Sequence, residues 1–177
     1  MHPEVTDFLI RVKMNYSDVF RGRVFEAGSM DVNGTPRPFF DATEYVGADW
    51  RPGPGVDWVG LIHDYTVKPD GYFDTVVSTE TLEHDPNWPY SVNRMVDLVR
   101  VGGSLVITCA GPGREPHCVE TAPPTSVGTI KTRYYGNLSL RDLLGQILNR
   151  ADFRVVVGED DPKAHDTRVL AYQKLGR

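Results

Sequence analysis

The segment Val24–Gly34, VFEAGSMDVNG, sets Glu26 and Gly28 at the end of an apolar run. A glycine there leaves the main chain open to close approach, because no Cβ stands in the way. Asp49 closes a second apolar run 21 residues beyond Gly28, where a carboxylate can accept hydrogen bonds from the hydroxyls of a ribose. Acid, glycine and acid in this order predict a nucleoside-containing ligand. Two histidines are candidate general bases: His84, in STETLEH, and His117, in GPGREPHCVET. Imidazole titrates near neutrality, so either suits proton removal from a hydroxyl. Plainer roles stay open for both, His84 packing against or capping the next helix and His117 lying on a surface loop.

Charge narrows the ligand. A dinucleotide needs a tight GxGxxG turn that brings a helix N-terminus to the pyrophosphate. The loop here reads Gly28-Ser29-Met30-Asp31, which lacks that turn and puts an acid where a phosphate would be repelled. S-adenosylmethionine has no phosphate and carries a cationic sulfonium and ammonium, so an acidic loop suits it. Other classes are disfavoured. A net charge of -5 argues against nucleic acid as the main partner. The tetrad Asp85-Pro86-Asn87-Trp88 lacks the second proline of the motif that grips a flipped base, and it begins too far after the preceding strand. It reads instead as a turn into a helix at Ser91. His2, His63 and His165 form no metal spacing with any Cys or Asp, and Cys109 and Cys118 form no CxxC pair, so no metal is expected.

These residues need elements to hold them. Val5, Phe8, Leu9 and Val12 recur at helical spacing behind Pro3, which suits a first turn. Strands are expected in RGRVFEAG, in TEYVGAD, more weakly in VDWVGLI, and in YFDTVVSTETL. A helix over PYSVNRMVDLVRVGG is expected to bury Val92, Met95, Val96 and Val99 and to stop at Gly102–Gly103. SLVITCAG reads as a fifth strand. A long loop, 111–137, follows, and its length marks it as functional or mobile. SLRDLLGQILNRADF is an amphipathic helix with Ser139 as its N-cap. FRVVVGE and TRVLAYQKL close the chain as a hairpin around the polar turn DDPKAHD. Alternating strands and helices imply an α/β, three-layer protein with a mostly parallel sheet.

At 177 residues, with 40% apolar and 24% charged residues, one domain over 1–177 is expected, with a helical segment over 1–20. No run approaches the about 18 apolar residues needed to span a bilayer, and the N-terminus lacks signal-peptide patterning. A cytoplasmic location with reduced thiols is the expectation.

The pieces VFEAGSMDVNGTPR, YVGADWRPGPGVD, PDGYFDTVVSTETLEH and LVRVGGSLVIT, in this order, resemble the class I S-adenosylmethionine-dependent methyltransferases. More narrowly, they look like the small bacterial and phage branch with a methyltransferase-11-type domain. The resemblance implies a Rossmann-like, seven-stranded sheet of order 3-2-1-4-5-7-6 with strand seven antiparallel. It implies that Glu26, Gly28 and Ser29 lie by the methionine portion of the cofactor, flanked by Thr79 and Glu80, and that Asp49 holds the ribose hydroxyls. Trp50 would pack on the adenine. Relatives place an acid after strand three to accept the adenine amino group, whereas Leu61 stands here. Backbone groups of Ile62 and His63, or the carboxylate of Asp64, would then take over.

The function implied is methyl transfer to a small molecule or a glycan hydroxyl, with loop 111–137 on the substrate side. Arg114 or Lys131 would hold an anionic group of that acceptor. Two alternatives stand beside it: a non-catalytic, methyltransferase-like binding subunit, and a nicotinamide-binding oxidoreductase, which the missing GxGxxG and Tyr-x-x-x-Lys disfavour. Oligomeric state is not readable from the sequence.

Overall fold

The computed structural model describes residues 1–117 and 134–176. Seven strands form one sheet: β1 (Arg21–Ala27), β2 (Asp41–Asp49), β3 (Trp58–Val59), β4 (Phe73–Thr79), β5 (Val99–Ala110), β6 (Phe153–Asp161) and β7 (Asp166–Lys174). Their spatial order is β3-β2-β1-β4-β5-β7-β6. The first five pair in parallel, and β7 runs antiparallel to both β5 and β6. This is the order and polarity that the resemblance implied.

Period-2 alternation in the central strands divides the core into two layers. Phe25 and Ala27 of β1, Val76 of β4, Leu105 and Ile107 of β5 and Val169 of β7 point to one face. Helices α2 (Trp88–Leu98) and α3 (Leu140–Arg150) cover that face with Met95, Val96, Leu143 and Ile147. Val24, Val77, Val106 and Leu170, each next door in its strand, point to the other face. There α1 (Pro3–Asn15) lays down Val5, Phe8, Leu9 and Val12, the residues its spacing singled out. Strands buried on both faces need apolar residues in succession, and β1, β4 and β5 carry them.

Ser139 caps α3 as expected. Its side chain accepts from the Asp142 N–H, and the Asp142 carboxylate accepts from the Ser139 N–H in return. Helix α2 departs from expectation. It ends at Leu98, and Val99, though buried, is the first residue of β5. Gly102 and Gly103 belong to an irregularity early in β5, where the register on β4 slips between Phe73 and Thr75. Gly102 has φ +77, and a Cβ on Gly103 would stand 2.7 Å from the Asp74 carbonyl oxygen, so both glycines serve that kink rather than a helix stop. At its other end α2 begins at Trp88, with Pro89 in its first turn, so DPNWPY is both turn and first turn of the helix.

The layering is unequal. The connections from β1 to β2, β2 to β3 and β3 to β4 contain no α-helix, only one 3-10 turn in the first, at Arg37–Phe39, and one in the third, at Ile62–Asp64. Residues 28–40 carry two glycines and two prolines and no helical periodicity, which explains why no helix forms there. The loops are instead fastened directly to one another. The Ala48 carbonyl accepts from both Gly28 N–H and Ser29 N–H, at 2.8 and 3.0 Å. Asp31 N–H donates to the Pro54 carbonyl at 2.9 Å, and Gly47 N–H donates to the Asp57 carboxylate at 2.8 Å.

Gly47 is where these loops come closest. A Cβ there would lie 2.1 Å from the Gly55 carbonyl oxygen and 2.6 Å from Ser29 Oγ. Backbone cannot step aside cheaply, so Gly47→Ala is expected to cost roughly 1–3 kcal/mol, as overpacking does. Urea denaturation of the variant beside the parent protein measures it, and an unchanged midpoint would show that the loops part easily.

Candidate functional site

The carboxyl ends of β1, β2 and β4, with the loops that follow them, frame a cleft of about 240 Å³. Open α/β sheets place ligands at this end, where strand order reverses on either side of the first strand. Of the residues the sequence singled out, Glu26, Gly28, Ser29, Asp49, Trp50, Ile62, Thr79, Glu80, His84 and His117 line it. His63 does not. Its ring faces Tyr90 of α2 at 6.1 Å between centroids. Asp64, the other candidate for the adenine amino group, is also absent from the lining and its side chain is largely exposed.

At the β1 end, Glu26 is 2% exposed and accepts a 2.8 Å hydrogen bond from the Tyr45 hydroxyl. Burial pushes its carboxyl up to about 7, against the opposing effects of Tyr45 and the more distant Arg37, while Asp31 adds to the rise. Gly28 has φ +78, and a Cβ there would collide with Thr81 Oγ1 at 2.0 Å. The glycine is therefore needed for its backbone sign and for the Thr81 side chain, and it lines the cleft as well.

At the β2 end, Asp49 is nearly buried and accepts from Met30 N–H and Arg51 N–H, both at 3.3 Å. Bonds of that length leave acceptor capacity on both oxygens. Burial raises this carboxyl too, with the backbone bonds pulling the other way. Trp50, Leu61 and Ile62 supply an apolar wall beside it, and the Arg51 guanidinium lies 5.5 Å from the Trp50 ring. Leu61 thus stands in the cleft itself, where relatives of the resembled family place an acid.

At the β4 end, Glu80 sits at φ +53, a left-handed backbone that is uncommon for a non-glycine residue and frequent at functional sites. Its carboxylate accepts from Thr108 Oγ1 at 3.0 Å and meets His2 Nε2 at 3.2 Å. His2 also faces Asp166 at 3.5 Å and Glu4 at 3.0 Å, and these acids, Asp166 first, push it up to about 10. Met1 and His2 therefore close one side of the site. Nothing in the sequence marks them, because they come to β4 only when α1 docks on the sheet.

His84, His117 and Tyr135 form a cluster of rings at the cleft's outer side, with centroids 5.0–5.3 Å apart. Burial, and then the neighbouring His117, push His84 down to about 4. It is neutral at physiological pH and a weak base. Arg114 is committed elsewhere: its guanidinium binds Asp166 at 2.7 Å and the Ala164 carbonyl at 2.8 Å, which corrects the expectation that it waits for an anionic acceptor. Lys131 and Cys118 lie outside the described residues.

No protein-family model matches the chain, and no curated protein matches it in sequence. Solved structures do match its fold. The N-methyltransferase NodS from Bradyrhizobium japonicum WM9, in complex with S-adenosyl-L-homocysteine, superposes with a TM-score of 0.61 at 15% identity, over 98% of this chain and 87% of that one. Haemonchus contortus phosphoethanolamine N-methyltransferase 2, in complex with S-adenosyl-L-methionine, gives 0.60 at 16% identity, over 86% of this chain and 38% of that one. The [4+2]-cyclase SpnF gives 0.63 at 13% identity, over 98% and 82%. The chain has the class I S-adenosylmethionine-dependent methyltransferase fold. Likeness at this level of identity defines the fold and leaves the chemistry to the site.

Glu26 makes stability depend on pH. Its folded value, about 7, lies above the unfolded one near 4.5, so its contribution is full below 4.5 and is lost as pH rises through 7. The shift corresponds to roughly 3 kcal/mol. Glu83 is raised in the same direction, so the parent protein alone does not isolate Glu26. Glu26→Gln is expected to gain stability over the parent at pH 8 and little at pH 5. Thermal melts at both pH values check this, and an equal difference at both would refute it.

Proposed function

We propose that the protein is an S-adenosylmethionine-dependent methyltransferase and that this cleft holds the cofactor. One observation carries the reading: four carboxylates line the cleft (Glu26, Asp49, Glu80 and Asp85) against one guanidinium, Arg51, and the Met1 amino group, which Asn33 holds. Such a surface repels a pyrophosphate and suits a ligand whose charges are a sulfonium and an ammonium. The nicotinamide reading loses ground for that reason.

The residues present fit the cofactor end to end. Asp49, held by two long backbone bonds, takes the ribose hydroxyls. Trp50, Leu61 and Ile62 give the adenine an apolar face. Relatives' acid after strand three has no counterpart in this lining, so adenine is held by packing and main-chain groups. Glu26, beside Gly28 and Ser29, meets the cationic methionine portion, and Thr79 and Glu80 flank it. When bound, the cofactor supplies a methyl group already activated on positively charged sulfur. The chain's part is then to orient the acceptor and exclude competing water, which can supply much of the rate. His84 and His117 face that acceptor. His84, held neutral, serves as a hydrogen-bond partner better than as a base.

The acceptor we infer is a small molecule or a glycan, attacked through a hydroxyl. The site's outer side, which among the described residues carries a tyrosine and two imidazoles, supports a small polar acceptor over nucleic acid. No helix among the described residues is long and apolar enough to cross a membrane, which is consistent with an acceptor met in solution.

Calorimetric titration with S-adenosylmethionine, S-adenosylhomocysteine and NAD tests the assignment. Binding of the first two near micromolar, and none of NAD, is expected. Failure of both at millimolar concentration would move the non-catalytic binding subunit into first place. Asp49→Ala is expected to weaken binding about 10- to 100-fold, the worth of hydrogen bonds to a charged group, with the fold intact by circular dichroism. Affinity is also expected to rise between pH 6 and pH 8, because the cation favours ionised Glu26, whose value is about 7. Glu26→Gln should flatten that profile, and a profile unchanged in the variant would place the cation elsewhere.

A further inference from the structure

Beneath the acceptor side of the cleft lies a group of polar atoms with nothing to bond. Glu83 is fully buried on the one-turn helix Leu82–His84, and neither carboxylate oxygen meets a donor in full hydrogen-bond geometry, the backbone N–H groups of Glu83 and Ala110 acting on it only weakly. The neighbouring His84 has its Nδ1 buried and unpartnered as well. Each orphaned buried polar atom costs about 1–3 kcal/mol, more when charged. Three of them on two adjacent residues call for compensation.

His117 completes the group. One potential ligand atom each from Glu83, His84 and His117 lies within 4.8 Å of the other two. The Tyr135 hydroxyl meets His117 Nδ1 at 3.1 Å and the Glu115 carbonyl lies 3.3 Å from the same nitrogen, contacts that orient the ring and leave Nε2 uncommitted. Metal-bound histidines are held in this way, one nitrogen on the ion and the other on a fixed partner.

We propose that Glu83, His84 and His117 bind a divalent transition-metal cation at the acceptor side of the cleft. Two imidazoles and one carboxylate suit zinc, manganese or ferrous iron, and three protein ligands leave coordination positions open. The sequence gives no such indication, since Glu83–His84 and His117 are 33 residues apart and show no recognised metal spacing. Bonds of about 2.0–2.2 Å draw the three ligand atoms closer together than they stand without the ion.

A second group among the described residues, His2, Glu80 and Asp166, also brings its ligand atoms within 4.8 Å of one another but differs in kind. His2 already bridges both acids, and Asp166 also holds Arg114 and Arg168. That cluster is satisfied by its own charges. The Glu83 cluster is not.

The ion's task rests on the methyl-transfer reading, whereas the site itself does not. An acceptor hydroxyl on an open position would be held next to the cofactor cleft, since His84 and His117 line both. The ion, a Lewis acid that changes no oxidation state, would promote loss of the hydroxyl proton to solvent. The oxygen lone pair would then form the C–O bond as the C–S bond breaks, its electron pair passing to sulfur. This gives the hydroxyl the activation that a weakly basic His84 does not.

The test uses Co²⁺ as probe on the purified full chain stripped with chelator. A stoichiometric visible d–d absorption, displaced by Zn²⁺, is expected. His117→Ala changes an exposed residue and should leave the fold intact while weakening Co²⁺ binding at least about tenfold. Glu83→Gln should do the same, and His2→Ala should not. Absence of Co²⁺ absorption and of bound Zn²⁺ after dialysis would overturn the site. So would full binding in His117→Ala, or binding lost in His2→Ala and retained in His117→Ala. Calorimetry with S-adenosylmethionine on the same metal-free protein separates the two readings: cofactor binding without metal binding refutes the cation site alone, and metal binding without cofactor binding refutes the methyl-transfer role alone.

Discussion

The site depends on one close crossing, that of the chain leaving β1 over the chain leaving β2. The Ala48 carbonyl takes two N–H groups, from Gly28 and Ser29, and Gly47 has no side chain to hold Ser29 and Gly55 away. In a protein of this fold with no helix between these strands, main-chain contacts must do what packing against a helix would otherwise do. They set where Asp49 and Glu26 stand relative to each other. The neighbouring Asp57 carboxylate, shared between Gly47 N–H and the Arg37 guanidinium, holds the turn after β2 against the same point.

That crossing also explains the electrostatics. It withdraws Glu26 and Asp49 from water without giving either a cationic partner in contact, so both carboxyls rise. On the proposed function, a cation arriving in the cleft would be the missing counter-charge. Asp166, buried outside the cleft lining, is treated differently. Asp166 sits among His2, Arg114 and Arg168 and is lowered overall, although its own burial works the other way. The molecule thus pairs Asp166 with cations of its own and leaves Glu26 and Asp49, in the cleft, without one.

The helical cover follows the same economy. Helices α2 and α3 bury one face of β4 and β5, and α1 buries the other, while the β2–β3 end is covered mostly by aromatic side chains and loops. Phe20, Phe39 and Phe40 cluster near β2 on the α1 side, and Phe25, Tyr65 and Trp58 on the other. Aromatic residues carry enough area to stand in for absent helices. The fold is also shared with a [4+2]-cyclase, so the reading as a methyltransferase rests on the acids in the cleft and not on architecture.

Much of this was legible in the sequence, because local patterns report on local structure. Period-3.6 and period-2 spacing located α1, α3 and the strands, Ser139 announced its cap, and the pair Gly28–Asp49 marked the cleft. Patterns failed where a residue's role depends on distant neighbours. Val99 is apolar and follows a helix, so only its pairing with Phe73 shows it to be strand. His63 follows Ile62, yet the 3-10 turn rotates it onto α2 and away from the cleft. Arg114 resembles an anion hook until β7 brings Asp166 to it. Composition and periodicity determined the fold class, and the segment resemblance singled out Glu26, Asp49 and Glu80, which line the cleft. Which charges are already paired, and that Glu83, His84 and His117 meet, only the tertiary structure decided, because burial and long-range proximity are properties of the folded chain and not of any window along it.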